Sequence, residues 1–175
     1  GRSTKNISSK RPFRNNSGGR RLMLFAVATT NTGDDFSCIH VNIVEKIRDL
    51  QASGADLKSI CLVARTHKLI NGYKDGLRNN GIDVFEITTN KVDDRSRDEV
   101  RIATMHRVKG LEFKYIFAAG VNNKALPNGV RSDFSDDVSL EEFETEEKCL
   151  LYVALTRARA GAYVTCYGTM SNLIV

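Results

Sequence analysis

The stretch Arg101–Ala119, RIATMHRVKGLEFKYIFAA, carries two short apolar runs separated by a dense polar turn. Each run is a few residues long and bounded by charge or Gly, a pattern that suits buried parallel strands better than helices. The reading is a strand over Arg101–Met105, a tight turn and helical corner over His106–Gly110, and a second strand over Lys114–Ala119. Thr104, His106, Arg107, Lys109, Gly110 and Glu112 crowd between the two runs. Open α/β sheets bind their ligands beyond the carboxyl ends of their strands, which is where such a group of donors and charges falls.

Working outward, Leu22–Ala28 is a near-continuous apolar run and reads as a buried strand. Val41, Val44, Ile47 and Leu50 recur at helical spacing over His40–Ala52, and Gly54 stops that helix. Ser59–Ala64 is a second buried strand with Arg65 directly at its carboxyl end. A helix over Lys68–Asn79, a strand over Asp83–Ile87 and a polar connection over Thr88–Glu99 lead back to the opening stretch. Beyond it come a loop containing Leu126–Gly129, a long helix ending near Arg159, a strand over Ala162–Tyr167, and the start of a helix over Ser171–Val175. This alternation predicts an α/β fold with a mostly parallel sheet and helices on both faces. One domain over residues 21–175 is expected, preceded by a flexible basic segment over residues 1–20.

Composition sets bounds. With 41% hydrophobic and 27% charged residues in 175, the chain suits a soluble globular domain. No apolar run approaches the roughly 20 residues a membrane span needs. Cys38, Cys61, Cys149 and Cys166 are far apart and form no C-x-x-C, so free, buried thiols in a reducing cytoplasm are expected. The net charge of +5 hides an asymmetry: Ser132–Glu147 holds eight of the 21 acidic residues and no Lys or Arg. The rest is strongly basic and compatible with a polyanionic partner, although Gly1–Arg21 alone supplies seven of the positive charges. The acidic segment lacks the register of a Ca²⁺ loop and reads as a solvated, mobile loop, with Glu146 and Glu147 in the first turn of the helix after it. His40, His67 and His106 show no ligand spacing, so no metal site is expected.

Three segments, in order, resemble motifs of superfamily 1 DNA helicases of the UvrD/Rep type. ICLVARTH (Ile60–His67) is similar to their motif IV, TMHRVKGLEF (Thr104–Phe113) to motif V, and EEKCLLYVALTRAR (Glu146–Arg159) to motif VI. The resemblance covers roughly residues 20 to 170 and implies the second RecA-like domain of such enzymes, called 2A. It also exposes a departure: the connection between Ile87 and Arg101 is short, where UvrD and Rep carry the large 2B insertion.

The resemblance implies roles residue by residue. Arg157 matches the arginine that reaches the γ-phosphate; read from the residues alone, it could instead complement a helix dipole, a role that suits Arg159 better. Arg65 matches a second phosphate contact, with a salt bridge to a local carboxylate as the alternative. Glu112, beside Gly110, matches the glutamate that hydrogen-bonds the nucleotide sugar, with pairing to Lys109 or Lys114 as the alternative. Thr104, His106 and Lys109 match the side that faces single-stranded DNA. No G-x-x-x-x-G-K-[ST] loop occurs in the chain, and no Asp-Glu pair follows a strand to hold Mg²⁺. The expectation is therefore a C-terminal motor lobe of an ATP-dependent DNA helicase, inactive alone. ATP and Mg²⁺ would be held mainly by an N-terminal RecA-like lobe of the same protein, with Arg65 and Arg157 completing that site. Single-stranded or partly duplex DNA would be the partner, with no membrane role. The alternative is a non-catalytic nucleic-acid-binding module that kept the helicase fold without coupling to ATP.

Overall fold

The computed structural model describes residues 6–13, 22–29, 37–91, 93–123, 125–129 and 133–174, with side chains from Val41 onward. The strands are β1 (Asn6–Phe13), β2 (Leu22–Thr29), β3 (Ile60–Ala64), β4 (Val84–Glu86), β5 (Val100–Thr104), β6 (Phe113–Ala118) and β7 (Ala158–Tyr167). The helices are α1 (Ser37–Ala52), α2 (His67–Asn79) and α3 (Asp137–Leu155), with 3₁₀ turns at Leu57–Ser59 and Asn172–Ile174. The strands form one sheet in the order β1-β2-β7-β6-β3-β5-β4. Every neighbouring pair is parallel except β1 with β2. The chain is an α/β domain with a mostly parallel sheet.

Alternation along the strands sorts the core into two halves, since successive side chains point to opposite faces. Ile60, Leu62 and Ala64 of β3 join Val100 and Ile102 of β5 against Ile43 and Ile47 of α1 and Ile70, Tyr73 and Leu77 of α2. On the other face Cys61, Val63, Ala103 and Ile116 pack with Leu151 and Ala154 of α3. Strands such as β3 and β5 are buried along their whole length, which is why they read as apolar runs rather than alternating ones.

α3 covers only part of its face. Toward β4 and β5 the cover is supplied by the connection between those strands. Arg101 in β5 is fully buried, and its guanidinium binds the Asp93 carboxylate and the carbonyls of Asp94, Arg97 and Glu99. Its charge stacks on the Phe85 ring, 5.2 Å from the centroid. The connection between β4 and β5 is thus folded down onto the sheet and held there by Arg101.

Four expectations are corrected. Residues 6–13, read as part of a flexible segment, form β1 with its register running from Asn6 opposite Thr29 to Phe13 opposite Leu22. Pairing satisfies the backbone groups along one side of β2, and Pro12, which lacks an N–H, is tolerated on an edge strand. The acidic segment is not a loop up to Glu147: α3 begins at Asp137, capped by the Asp136 side chain on the Ser139 amide at 2.7 Å, so Glu146 and Glu147 lie mid-helix. α3 also stops at Leu155, short of Arg159, because β7 starts at Ala158 to pair with Phe113. Cys149 is exposed on α3, while Cys61 and Cys166 are buried.

Candidate functional site

The parallel strands give the domain two distinct ends, and the groups singled out in the sequence divide between them. At the carboxyl end of β3 stands Arg65, followed by Thr66, whose hydroxyl accepts the Leu69 amide at 3.3 Å and caps α2. The amino end of α2, with exposed His67 and Lys68, therefore faces the same edge and favours negative charge there.

The turn after β5 ends at the same edge. The Met105 amide continues the ladder onto the Ala64 carbonyl at 3.0 Å, and the Arg107 amide closes a turn onto the Thr104 carbonyl at 2.9 Å. Met105 and Val108 are buried pegs. They hold the turn so that His106, Arg107 and Lys109 are exposed. Gly110 closes it at φ +84°, a left-handed conformation that strains any residue with a Cβ. Thr104, grouped with His106 and Lys109 in the sequence, is itself buried. Partial burial and then the Arg65 guanidinium hold the His106 imidazole below its ordinary value, although Glu147 pulls the other way. At pH 7 this imidazole is neutral, a hydrogen-bonding group rather than a cation.

Arg65 is not free at this edge. It forks onto Glu147 of α3, with Nη2 to Oε1 at 2.7 Å and Nε to Oε2 at 2.8 Å. Glu147 also accepts the Asn128 amide at 3.1 Å. The salt-bridge alternative for Arg65 describes this chain by itself. Glu147 escaped the sequence reading, which gave it a dipole role. The signal was present: Glu147, Leu151 and Ala154 follow i, i+4, i+7 spacing and form the buried stripe of α3.

The other end of the sheet carries Glu112 and Arg157, and the connection from the turn reaches it through Gly110. A cleft of about 670 Å³ opens there, lined by Arg95, Gly110, Glu112, Phe113, Lys114 and Arg159 among others. Glu112 pairs with Arg159, whose Nε donates to Oε2 at 2.7 Å. Arg159 lies in β7 and serves that pair, so it does not complement the α3 dipole. Arg95 leans on the Phe113 ring at 5.4 Å and pairs with Asp93. The cleft is large enough for a nucleotide and carries three cations around one carboxylate, a fit for a phosphate-bearing sugar.

Arg157 sits just past α3, where the Phe113 amide bonds its carbonyl. Among the described residues its guanidinium bonds only its own helix end, the Val153 carbonyl at 3.2 Å and the Thr156 hydroxyl at 3.3 Å. Among the described residues no carboxylate pairs with it. Arg65 and Arg157 were expected to complete one site, but the chain does not bring them together: Arg65 ends β3 and Arg157 precedes β7, at opposite ends of the parallel sheet. α3 runs between them.

Among the described residues no group of three or more His, Cys, Asp or Glu is arranged to hold a metal ion, and no helix is long and apolar enough to cross a membrane.

The family model described as the UvrD-like helicase C-terminal domain matches residues 86–169, and the chain belongs to that family. The putative ATP-dependent DNA helicase YjcD of Bacillus subtilis is 33% identical over 127 residues, covering 67% of this chain and 14% of that protein. The ATP-dependent DNA helicase PcrA of Staphylococcus epidermidis is 36% identical over 70 residues, covering 40% of this chain and 9% of that protein. The crystal structure of the C-terminal domain of a possible DNA helicase from Lactobacillus plantarum superposes with a TM-score of 0.59 at 18% identity, over 81% of this chain and 74% of that one. The chain thus spans a small part of the curated relatives it matches.

Proposed function

We propose that this chain is the C-terminal motor lobe of an ATP-dependent superfamily 1 DNA helicase or translocase, acting in the cytoplasm against an N-terminal lobe that carries the phosphate loop and Mg²⁺. The observation that carries the reading is the three helicase motifs in family order on a RecA-like sheet, with no phosphate loop beside them. Bound ATP would supply the free energy of phosphoryl transfer. Toward it, Arg157 offers an always-charged fork, Glu112 an acceptor for the sugar hydroxyls, and Gly110 the tight turn that brings Glu112 to the cleft. Arg65 contributes to phosphate binding only by giving up Glu147.

The carboxyl edge is the DNA side in this reading. His106 and Lys109 lie exposed on the turn after β5 and contact backbone phosphates, which set position rather than sequence. Thr104, being buried, shapes the turn beneath them. Closure of the two lobes around ATP follows from its greater affinity for the closed state.

The chain alone is expected to turn over no ATP, and the same chain joined to the phosphate-loop lobe of its own protein to show DNA-stimulated turnover. A parent protein without a phosphate loop, or a joined protein without stimulation, would sink the reading. For the DNA edge, His106→Ala with Lys109→Ala is expected to weaken oligonucleotide binding and flatten its salt dependence. Because the imidazole is neutral at pH 7, the slope should drop by about 0.7, one single-strand phosphate contact, from Lys109 alone. An unchanged slope moves the DNA contacts elsewhere.

A further inference from the structure

Glu147 is a carboxylate on the buried stripe of α3, 4% exposed, where an apolar residue is the ordinary occupant. Its two oxygens collect the Arg65 fork and the Asn128 amide, drawing together the end of β3, the loop after β6 and the middle of α3. His106 lies close enough for both charges to act on it. This is the edge whose other exposed groups, His67, Lys68, Arg107 and Lys109, are donors and cations. A guanidinium fork meets a carboxylate and a phosphate through the same pair of parallel N–H bonds.

We propose that Glu147 stands in for a phosphate: in the ligand-free chain it occupies the Arg65 fork, and a phosphate-bearing ligand at the carboxyl edge binds by taking Arg65 from it. Glu147 is then a positioning residue, acting through Arg65 and not on the ligand. The exchange has a mechanical reach. Leu155, where α3 ends, lies about 12 Å further along the helix axis from Glu147 and leads directly to Arg157. Release of Glu147 loosens α3 from β3 and from Asn128, so phosphate binding at one end of the sheet is felt at the guanidinium of the other. The inference rests on the reading that the carboxyl edge faces phosphates, whether of a nucleic-acid strand or of a nucleotide.

The test uses this chain, titrated at low salt with a deoxythymidine oligonucleotide and separately with inorganic triphosphate. Glu147→Gln keeps the shape and a hydrogen-bonding oxygen but removes the competing charge. It is expected to raise affinity by about fivefold or more, the lower range of coupling between sites. Glu146→Gln removes the same charge from the exposed neighbour and should gain less than about twofold, since solvent and salt screen it. On an Arg65→Gln background, which itself binds less, Glu147→Gln should gain nothing. If Glu147→Gln does not fold, Glu147→Asp, one methylene shorter with its charge kept, should give a smaller gain in the same direction. A gain for the oligonucleotide alone assigns the exchange to a nucleic-acid strand, one for triphosphate alone to a nucleotide, and one for both to phosphate in general. If Arg65→Gln loses affinity but neither Glu147 variant gains any, the stand-in role is overturned while the phosphate-facing edge survives. If Arg65→Gln loses nothing, or no variant binds either ligand, both fall.

Discussion

Arg101→Ala is expected to cost the domain about 3–5 kcal/mol, the range for breaking a buried ion pair by removing one partner. Arg101 is wholly buried, and three of its five donor directions end on backbone carbonyls of the connection between β4 and β5. Removing it leaves the Asp93 carboxylate, 12% exposed, with Arg95 as its remaining cation, and leaves the carbonyls of Asp94, Arg97 and Glu99 without their guanidinium donor. The Phe85 ring loses the nearer of the two cations over it and becomes the floor of a cavity. Urea unfolding followed by circular dichroism checks this. Arg101→Lys should recover only part of the loss, because one ammonium cannot reach a carboxylate and three carbonyls at once. Asp93→Ala combined with Arg101→Ala should lose less than the two single changes added together, since the pair they share is lost only once. A loss within the ±0.5 kcal/mol typical of surface changes would mean that the connection does not depend on Arg101.

This anchor also marks where the sequence stopped being legible. β3 and β5 could be read because a strand buried on both faces shows up as an uninterrupted apolar run, and Arg101 looked like the charged boundary of such a run. Its burial depends on partners that the chain brings over from Asp93 to Glu99, a tertiary arrangement with no periodic signature. The pattern places α3 but misplaces both its start and its end. Asp and Glu in a row suggest a solvated loop, yet Glu is a good helix former and Asp136 is a good cap, so the helix begins ten residues before Glu147. That error hid Glu147 from view, and with it the partner that holds Arg65. The motifs announced which residues mattered. They did not say that Arg159 would be spent on Glu112, or that the two expected phosphate arginines would stand at opposite ends of the sheet. Spacing within a motif reports local placement, whereas pairing between motifs is decided by the packing of α3 across the sheet.

That division singles out one guanidinium for the largest functional effect. On the proposed function, with the chain joined to a phosphate-loop lobe, Arg157→Ala is expected to lower DNA-stimulated ATP turnover by about 10³-fold or more, the range for such arginines in other phosphoryl-transfer enzymes. Affinity for ATP should change little, because an interaction made only with developing charge is absent in the ground state. Arg65 is occupied by Glu147 and Arg159 by Glu112, whereas among the described residues Arg157 is held only by a carbonyl and a hydroxyl of its own helix end. Those neutral contacts aim the fork without neutralising it. Lysine should not rescue the variant, since a point charge lacks the planar fork that meets two phosphate oxygens together. Arg159→Ala serves as the comparison: it breaks the Glu112 pair and should raise the ATP concentration needed for half-maximal turnover more than it lowers the maximal rate. Steady-state turnover over a range of ATP concentrations separates the two patterns. If Arg157→Ala keeps near-normal turnover, or if its loss appears only as weaker ATP binding, the guanidinium past α3 is a helix-end cation, and the charge that completes the nucleotide site must come from Arg95, Arg159 or the opposing lobe.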